Sequence, residues 1–236
     1  MTSDAPLAVL WDLDGTIIDT EPLWLAAEVQ MLARYGLHLS DEFRESLIGS
    51  GLRTAAARFQ SLGVPLTAQE ILDEWTHHVG SGLTAEVPAW RPGVISLLAS
   101  LRSAGIPSAL VTMSLRPLAE KIVGLLPTGT FQAIISGDDV AHEKPHPDPY
   151  ERGAAALGVD VRRCIAIEDS PTGARSAASA GAFVIGVPNL LDLGDAPVDR
   201  LLPSLAGVDA LDLATMYRAH RAPMLAPATA NEETRS

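Results

Sequence analysis

The sequence is poor in cysteine and in basic residues, and both shortages narrow what the chain could be. Its 236 residues include one cysteine, Cys164, which excludes an internal disulfide and favours a reducing compartment. Lysine and arginine number 17 against 29 aspartates and glutamates. The resulting net charge of −12 argues against broad binding to nucleic acid or to an anionic membrane surface. An anionic substrate would therefore need local cations or a metal ion.

Several recognisable sequence patterns are also missing. No apolar run approaches the length of a membrane span, and residues 1–4 lack the features of a signal peptide. We therefore expect a cytoplasmic protein with no nucleic-acid or membrane partner, present as a monomer or weak dimer. No G-x-G-x-x-G follows the first predicted strand, which leaves a dinucleotide oxidoreductase as a weak alternative, and neither a P-loop nor a G-x-S-x-G elbow is present.

The most informative stretch is residues 8–16, AVLWDLDGT, where an apolar run ends in two aspartates. The run predicts a buried strand of a parallel sheet, and open α/β sheets place their chemistry beyond the carboxyl ends of such strands. Strand periodicity points Asp12 and Asp14 the same way unless the turn at Gly15 splays them. Two carboxylates this close need a cation or a shared proton, which suits a metal-assisted nucleophile paired with an acid/base. Capping of the following helix is the simpler alternative.

The rest of the chain predicts an α/β fold with a Rossmann-like, three-layer parallel-sheet core and an inserted block of helices. Residues 19–87 contain helical patterns and no strand-like run, with Ser40 and Thr67 as helix starts and a break at 49–51. From residue 91 onward, strands alternate with helices. The predicted domains are a core of residues 1–18 and 88–221, a helical insert of residues 19–87, and a disordered tail of residues 222–236. Predicted core strands are 108–112, 131–135, 164–167 and 183–187, with one more near 201.

Polar residues follow two further strands, and a proline-rich loop lies between them. Thr112 and Ser114 offer hydroxyls at a helix start, which suits a phosphate although plain capping is the simpler interpretation. Glu168 and Asp169 offer the hard oxygen ligands that Mg²⁺ prefers. Alternating prolines at 145–149 would hold Lys144 in place, where its ammonium could neutralise a phosphate and nearby carboxylates.

In this order, four stretches resemble the haloacid dehalogenase superfamily of phosphotransferases. They are Asp12-Leu13-Asp14-Gly15-Thr16, Thr112-Met113-Ser114, Lys144-Pro145 and Glu168-Asp169-Ser170-Pro171-Thr172-Gly173. The resemblance extends from about residue 7 to 213. The helical insert is similar to the cap of the branch that contains β-phosphoglucomutase and small sugar-phosphate phosphatases.

The resemblance implies a role for each matching residue. Asp12 would attack phosphorus and form an aspartyl-phosphate, and Asp14 would protonate the leaving oxygen and then activate water. Mg²⁺ would be held by Asp12, the backbone carbonyl of Asp14, and Asp169, with Glu168 beside it or bonded through water. Thr112, Ser114 and Lys144 would hold the phosphoryl oxygens.

In this architecture the cap selects the substrate. Arg53 is the predicted cap contact to a substrate phosphate or hydroxyl, with an exposed helix arginine as the alternative. We expect Trp24 to be a core residue of its helix rather than a pocket residue. Met113 stands where many members of the superfamily carry a small or amide residue, so it adds bulk to the pocket. The predicted hinges lie near residues 17–20 and 86–92.

The sequence thus predicts a Mg²⁺-dependent phosphatase for a small phosphorylated metabolite, plausibly a sugar phosphate. A β-phosphoglucomutase-like enzyme, which would return the phosphoryl group to a second sugar hydroxyl, is the alternative within the superfamily. A binding or regulatory module without turnover is the alternative from another class. The presence of both Asp12 and Asp14 argues against it, because a binder has no need of the second aspartate.

Overall fold

One parallel sheet forms the centre of the protein. A computed structural model describes residues 5–47, 51–83 and 89–225. Within that part of the chain, six strands pair in the order β3-β2-β1-β4-β5-β6, and every pairing is parallel. The strands are β1 (Ala8–Trp11), β2 (Ser108–Val111), β3 (Ala133–Ile135), β4 (Cys164–Glu168), β5 (Phe183–Gly186) and β6 (Arg200–Leu201).

Strand β1 lies between β2 and β4, and it sets the position of the residues that follow all three strands. Trp11, its last residue, pairs with Leu110 on one side and with Ile167 on the other. The carboxyl ends of these strands therefore meet at one edge of the sheet. This edge, where the strand order reverses, is the usual ligand position in open α/β sheets.

Helices cover both faces of the sheet, so the fold has three layers. In β1, Val9 and Trp11 pack into one hydrophobic cluster, whereas Ala8 and Leu10 pack into a second cluster on the opposite face. Strands buried on both faces need apolar residues at every position, as β1 has. The covering helices are α5 (Val94–Ser103), α6 (Arg116–Val123), α7 (Asp148–Ala156), α8 (Pro171–Ala180) and α9 (Ala210–Leu225). The predicted α/β, Rossmann-like architecture is confirmed.

A block of helices follows β1: α1 (Glu21–Arg34), α2 (Asp41–Leu47), α3 (Leu52–Leu62) and α4 (Ala68–Gly82). Both predicted helix starts are confirmed. Ser40 Oγ accepts from the backbone N–H of Phe43, and Thr67 forms a capping box with Glu70 at the start of α4. Apolar side chains join the block, with the Phe59 and Trp75 rings meeting edge to face at 4.7 Å.

Two chain segments connect the helical block to the sheet core. The backbone N–H of Asp19 donates to Ala89 O, and that of Arg91 donates to Ile17 O, so the segments lie side by side. The predicted boundaries of the cap, its hinges and the break at 49–51 fall partly on residues 48–50 and 84–88, which lie outside the described residues. The cap limits and the hinges therefore stay predictions.

Helix α9 continues to Leu225, past the predicted start of the tail at residue 222. Leu213 and the ring of Tyr217 are buried, and Tyr217 packs edge to face on Phe183, which anchors the helix on the core. Alanine and proline content alone does not reveal this anchoring. Residues 226–236 lie outside the described residues. Among the helices that are described, none combines the length and apolar character needed to cross a membrane.

Candidate active site

Polar side chains from three strand ends meet beside one cavity. Asp12 follows β1, Thr112 follows β2, and β4 ends at Glu168. The cavity has a volume of about 210 Å³ and lies between the sheet edge and the helical block. Its sheet side includes Asp12, Asp14, Thr112, Met113, Ser114, Lys144 and Asp169, and its helical side includes Glu21, Trp24, Glu28, Arg44, Leu47 and Leu52. The structure therefore brings the predicted strand-end residues together.

Lys144 is the buried cation of the site. Its Nζ donates to Asp12 Oδ1 at 2.7 Å, to Glu168 Oε1 at 2.6 Å and to Val111 O at 3.0 Å. Burial alone would lower the pKa of Lys144, but the adjacent carboxylates of Asp12 and Glu168 raise it above its usual range. The ammonium therefore stays charged and offsets much of the negative charge of these two carboxylates.

Glu168 is held on both of its carboxylate oxygens. Oε1 accepts from Lys144 and, at 2.7 Å, from the hydroxyl of Tyr150, while Oε2 accepts from Ser170 Oγ at 3.2 Å. The whole side chain is buried. A Cβ at position 173 would lie 1.8 Å from Glu168 Oε1, so only glycine fits at Gly173. These contacts make Glu168 the anchor of Lys144.

The donor set suits a divalent cation. Asp12, Glu168 and Asp169 each offer an oxygen atom, and these atoms lie within 4.8 Å of one another. Burial raises the pKa of Asp12 to about 7 even though Lys144 opposes the shift. Burial, followed by the charge of Asp12, also raises the pKa of Asp169 well above its usual range. A hard cation bound among clustered carboxylates stabilises their ionised forms, because it removes the repulsion between them.

Gly15 permits the close approach of the first loop to Asp169. Its φ of +85° lies in the left-handed region, and a Cβ there would fall 2.1 Å from Asp169 Oδ2. Thr16 Oγ1 donates to the other oxygen, Oδ1, at 3.4 Å. The turn at Gly15 and Thr16 therefore lies directly against the Asp169 carboxylate and helps to fix its position. This turn also separates the surroundings of Asp14 from those of Asp12.

Among the described residues, no cation pairs with Asp14, and neutral donors surround it instead. Its Oδ1 accepts from Thr20 Oγ1 at 2.5 Å and from the indole Nε1 of Trp24 at 3.1 Å. Its Oδ2 accepts from Ser114 Oγ at 2.7 Å and from Thr112 Oγ1 at 3.4 Å. Donors from the sheet edge and from α1 thus hold the same carboxylate between them.

Thr112 and Ser114, the predicted phosphate-binding pair, therefore contact Asp14 in this structure. The backbone N–H of Ser114 also donates to Thr112 Oγ1 at 2.9 Å, which fixes the loop after β2. The side chain of Met113 lines the cavity, as expected, and its Sδ accepts from the backbone N–H of Lys144 at 3.4 Å. Met113 thus connects the β2 loop with the proline-rich loop.

Arg53, the predicted cap contact to a substrate, is not among the residues that line the cavity, and its role stays a prediction. The Arg53 side chain is 57% exposed, and its Nε lies 3.7 Å from Glu143 Oε1. Arg44, on the preceding helix, lines the cavity instead. Helical spacing alone could not distinguish the two arginines, because it does not show which face of a helix meets the cavity.

Sequence reasoning missed Thr20, Trp24 and Tyr150. Trp24 is buried, as its helical spacing predicts, yet its indole lines the cavity and bonds Asp14. The available signal was that Thr20 and Trp24 lie one helical turn apart, immediately after the aspartate motif. Tyr150 gave no signal, because an aromatic residue in an amphipathic helix is ordinarily a core residue.

The matches to known proteins agree with this geometry. Residues 9–187 match the family of haloacid dehalogenase-like hydrolases. The chain belongs to this family. The family assignment makes the protein a hydrolase, and it agrees with the order of the four motifs around the cavity.

Several relatives are similar over most of their length. Protein CbbY of Cereibacter sphaeroides is 33% identical over 222 residues, which cover 87% of this chain and 96% of that protein. Hexitol phosphatase A of Escherichia coli is 34% identical over 205 residues, covering 85% and 87% respectively. A crystal structure of mutant CbbY from Rhodobacter sphaeroides with xylulose-(1,5)bisphosphate aligns with a TM-score of 0.78, at 32% identity over 88% of this chain and 99% of that one.

Proposed function

We propose that this protein is a Mg²⁺-dependent phosphatase that hydrolyses a small sugar phosphate through an aspartyl-phosphate. The observation that carries the proposal is the contrast between two aspartates two residues apart. Asp12 lies against the Lys144 ammonium and two further carboxylates, whereas Asp14 lies among neutral hydrogen-bond donors. Pairs of acids in contrasting surroundings are how enzymes divide nucleophilic and proton-transfer roles.

Asp12 is the proposed nucleophile. Its Oδ1 is paired with the Lys144 ammonium at 2.7 Å, which favours the ionised carboxylate that attack requires. One carboxylate oxygen forms the new bond to phosphorus as the bond from phosphorus to the substrate oxygen breaks. The product of this step is a mixed anhydride between Asp12 and the phosphoryl group.

Asp14 is the proposed acid and base. In the first step it gives a proton to the departing substrate oxygen. In the second step it takes a proton from the water that attacks phosphorus, which releases inorganic phosphate and restores Asp12. Thr20 and Trp24 hold one Asp14 oxygen from the cap side, so the position of α1 controls where Asp14 points.

Asp12, Asp169 and the backbone carbonyl of Asp14 would hold the Mg²⁺ ion, with Glu168 next to it. When bound, the ion would supply positive charge to the phosphoryl oxygens and relieve the repulsion among the carboxylates. The raised pKa values of Asp12 and Asp169 support this assignment, because each carboxylate gains from a nearby cation. Glu168 serves mainly to hold Lys144 in place.

Thr112, Ser114 and Lys144 are the proposed contacts to the phosphoryl oxygens. Two hydroxyls and an ammonium already converge on the two aspartates from the sheet side. A phosphoryl group between the aspartates would compete for the same donors. Phosphoryl transfer needs such positioning and charge neutralisation more than it needs further covalent help.

The relatives support a sugar phosphate as substrate. Two relatives are named for phosphate esters of polyhydroxylated molecules: the hexitol phosphatase and a validoxylamine A 7′-phosphate phosphatase that is 31% identical to this chain. The CbbY structure contains another such ester, xylulose-(1,5)bisphosphate. The cavity at the sheet edge has room for such a molecule between the aspartates and the helical wall. These names support the substrate class and leave the molecule open.

The test is phosphate release from a panel of sugar phosphates, with Mg²⁺ and with EDTA. We expect Mg²⁺-dependent release from one or a few substrates, abolished by Asp12→Ala and strongly reduced by Asp14→Asn with substrate binding retained. Asp195→Asn, an exposed carboxylate outside the cavity, is the control and should behave as wild type. Unchanged turnover in Asp14→Asn would contradict its assigned role.

The same reactions test the alternatives. Isomerisation of β-glucose 1-phosphate with little free phosphate would indicate a β-phosphoglucomutase-like enzyme. Binding of phosphate esters without turnover, in folded protein that also binds Mg²⁺, would indicate a regulatory module.

A further inference from the structure

The helical wall of the cavity carries an acidic group that the phosphoryl chemistry does not use. Glu21, Trp24 and Glu28 occupy positions i, i+3 and i+7 of α1 and all line the cavity. A helix advances about 1.5 Å per residue, so Glu28 lies about 6 Å beyond Trp24 along the axis. Thr20 and Trp24, at the start of α1, both donate to Asp14, so Glu28 lies one turn farther along the helix from that carboxylate. Glu28 therefore faces the region where the leaving group of a substrate would lie.

The Glu28 carboxylate has no hydrogen-bond donor of its own. It is half-buried, and no side chain or backbone N–H in the described ranges donates to it. Arg44 is the cation on this wall, but it forms no ion pair with Glu28 or Glu21 within the described chain. Burial, followed by the charge of Glu21, raises the pKa of Glu28 to about 7, and Arg44 opposes the shift. A half-buried carboxylate that accepts no hydrogen bond is stabilised when a ligand donates one to it.

We propose that Glu28 is a specificity residue that accepts a hydrogen bond from a hydroxyl or ammonium group on the leaving group. The inference rests on the proposed phosphatase function and narrows its substrate class. Among the described residues that form the helical wall, the carboxylates of Glu21 and Glu28 face one guanidinium, that of Arg44. A second phosphate there would meet net negative charge, whereas a hydroxyl or ammonium would meet an acceptor.

The substrates favoured by this wall are monophosphates of sugars, polyols or amino sugars, and bisphosphates are disfavoured. The CbbY relative was crystallised with xylulose-(1,5)bisphosphate, so this chain would differ from it in preference. The difference would arise at the cap, because the residues at the sheet edge serve the transferring phosphate in either case.

The experiment compares kcat/KM within two matched pairs: fructose 6-phosphate with fructose 1,6-bisphosphate, and glucose 6-phosphate with glucosamine 6-phosphate. Acetyl phosphate, which has no hydroxyl or ammonium, is the reference. We expect wild type to prefer fructose 6-phosphate over the bisphosphate. Glu28→Gln should lower the ratio of kcat/KM for the monophosphates to kcat/KM for acetyl phosphate about tenfold or more. This is the size of effect expected when a hydrogen bond to a charged group is lost. The glucosamine pair shows whether the donor is a hydroxyl or an ammonium.

Two further variants complete the design. Glu28→Lys should shift the preference towards the bisphosphate by about tenfold or more, because it reverses the charge at this position. Glu42→Gln removes an exposed carboxylate of α2 outside the cavity and should leave every ratio unchanged. Circular dichroism checks that each variant is folded.

The outcomes separate this inference from the proposed function. The inference would be overturned if Glu28→Gln and Glu42→Gln showed equal kcat/KM ratios, or if wild type preferred the bisphosphate. In either case, turnover of acetyl phosphate by wild type would still support the proposed phosphatase function. Failure of wild type to hydrolyse any panel member, acetyl phosphate included, would contradict the proposed function itself.

Discussion

Replacing Lys144 by methionine should destabilise the protein strongly, and the loss should depend on pH. The Lys144 side chain is 5% exposed. Its ammonium pairs with the side chains of Asp12, which is 11% exposed, and Glu168, which is fully buried. Methionine fills a similar volume but leaves two buried carboxylates without their cation. Removing one partner of a buried ion pair costs about 3–5 kcal/mol. In a chain of this size that loss corresponds to a fall in Tm of about 6–20 °C.

The pH dependence follows from Asp12. Its pKa is about 7 in the folded protein against 3.8 in a model compound, so the folded state binds this proton more tightly than the unfolded state does. Stability from this group therefore falls as pH rises from about 4 to about 7. Without Lys144, which opposes the shift, the pKa of Asp12 rises further and the fall continues above pH 7. The cost of Lys144→Met should accordingly be smaller at pH 5 than at pH 8.

The assay is urea unfolding in EDTA, followed by tryptophan fluorescence, at pH 5 and pH 8. Lys121→Met is the matched control, because the Lys121 ammonium donates to the backbone carbonyl of Gly80 and has no ion-pair partner in the described chain. Its effect should be smaller and nearly independent of pH. Exposed ion pairs contribute up to about 1 kcal/mol to the free energy of unfolding. A loss of unfolding free energy in Lys144→Met that stays below that value, or that is equal at both pH values, would contradict the assigned role of the buried ion pair.

Three further predictions follow from single contacts. Trp24→Phe removes the indole donor to Asp14, so we expect kcat to fall about tenfold with KM little changed, in steady-state kinetics; an unchanged kcat would contradict the positioning role. Gly15→Ala places a methyl group against Asp169, so this variant should bind Mg²⁺ more weakly than wild type in titration calorimetry. An unchanged affinity for Mg²⁺ would contradict this prediction. Burial raises the pKa of Cys164 to about 12, so thiol reagents should label it only after unfolding.

The sequence was sufficient to predict the sheet and the residues at its edge. Continuous apolar runs such as 8–11 specify strands buried on both faces, and parallel register then brings Asp12, Thr112 and Glu168 together without further information. Gly15 could also be expected at the turn, since the chain must approach Asp169 closely.

The contacts of the individual side chains could not be predicted in the same way. The partners of Asp14 depend on how α1 sits over the sheet edge, and this is a matter of packing between elements far apart in sequence. In the same way, Arg44 lines the cavity and Arg53 does not. Helical periodicity gives which residues share a face but not which face meets the active site.

The most direct test of the account is whether Asp12 carries the phosphoryl group during turnover. The enzyme with Mg²⁺ would be mixed with acetyl phosphate, quenched in acid and reduced with borohydride, which converts an aspartyl-phosphate to homoserine. Peptide mass spectrometry would then identify the modified position. The account predicts homoserine at position 12, more of it in Asp14→Asn because hydrolysis of the intermediate is slowed, and none in Asp12→Asn. Full turnover by wild type with no modified residue, or with the modification at another position, would contradict it.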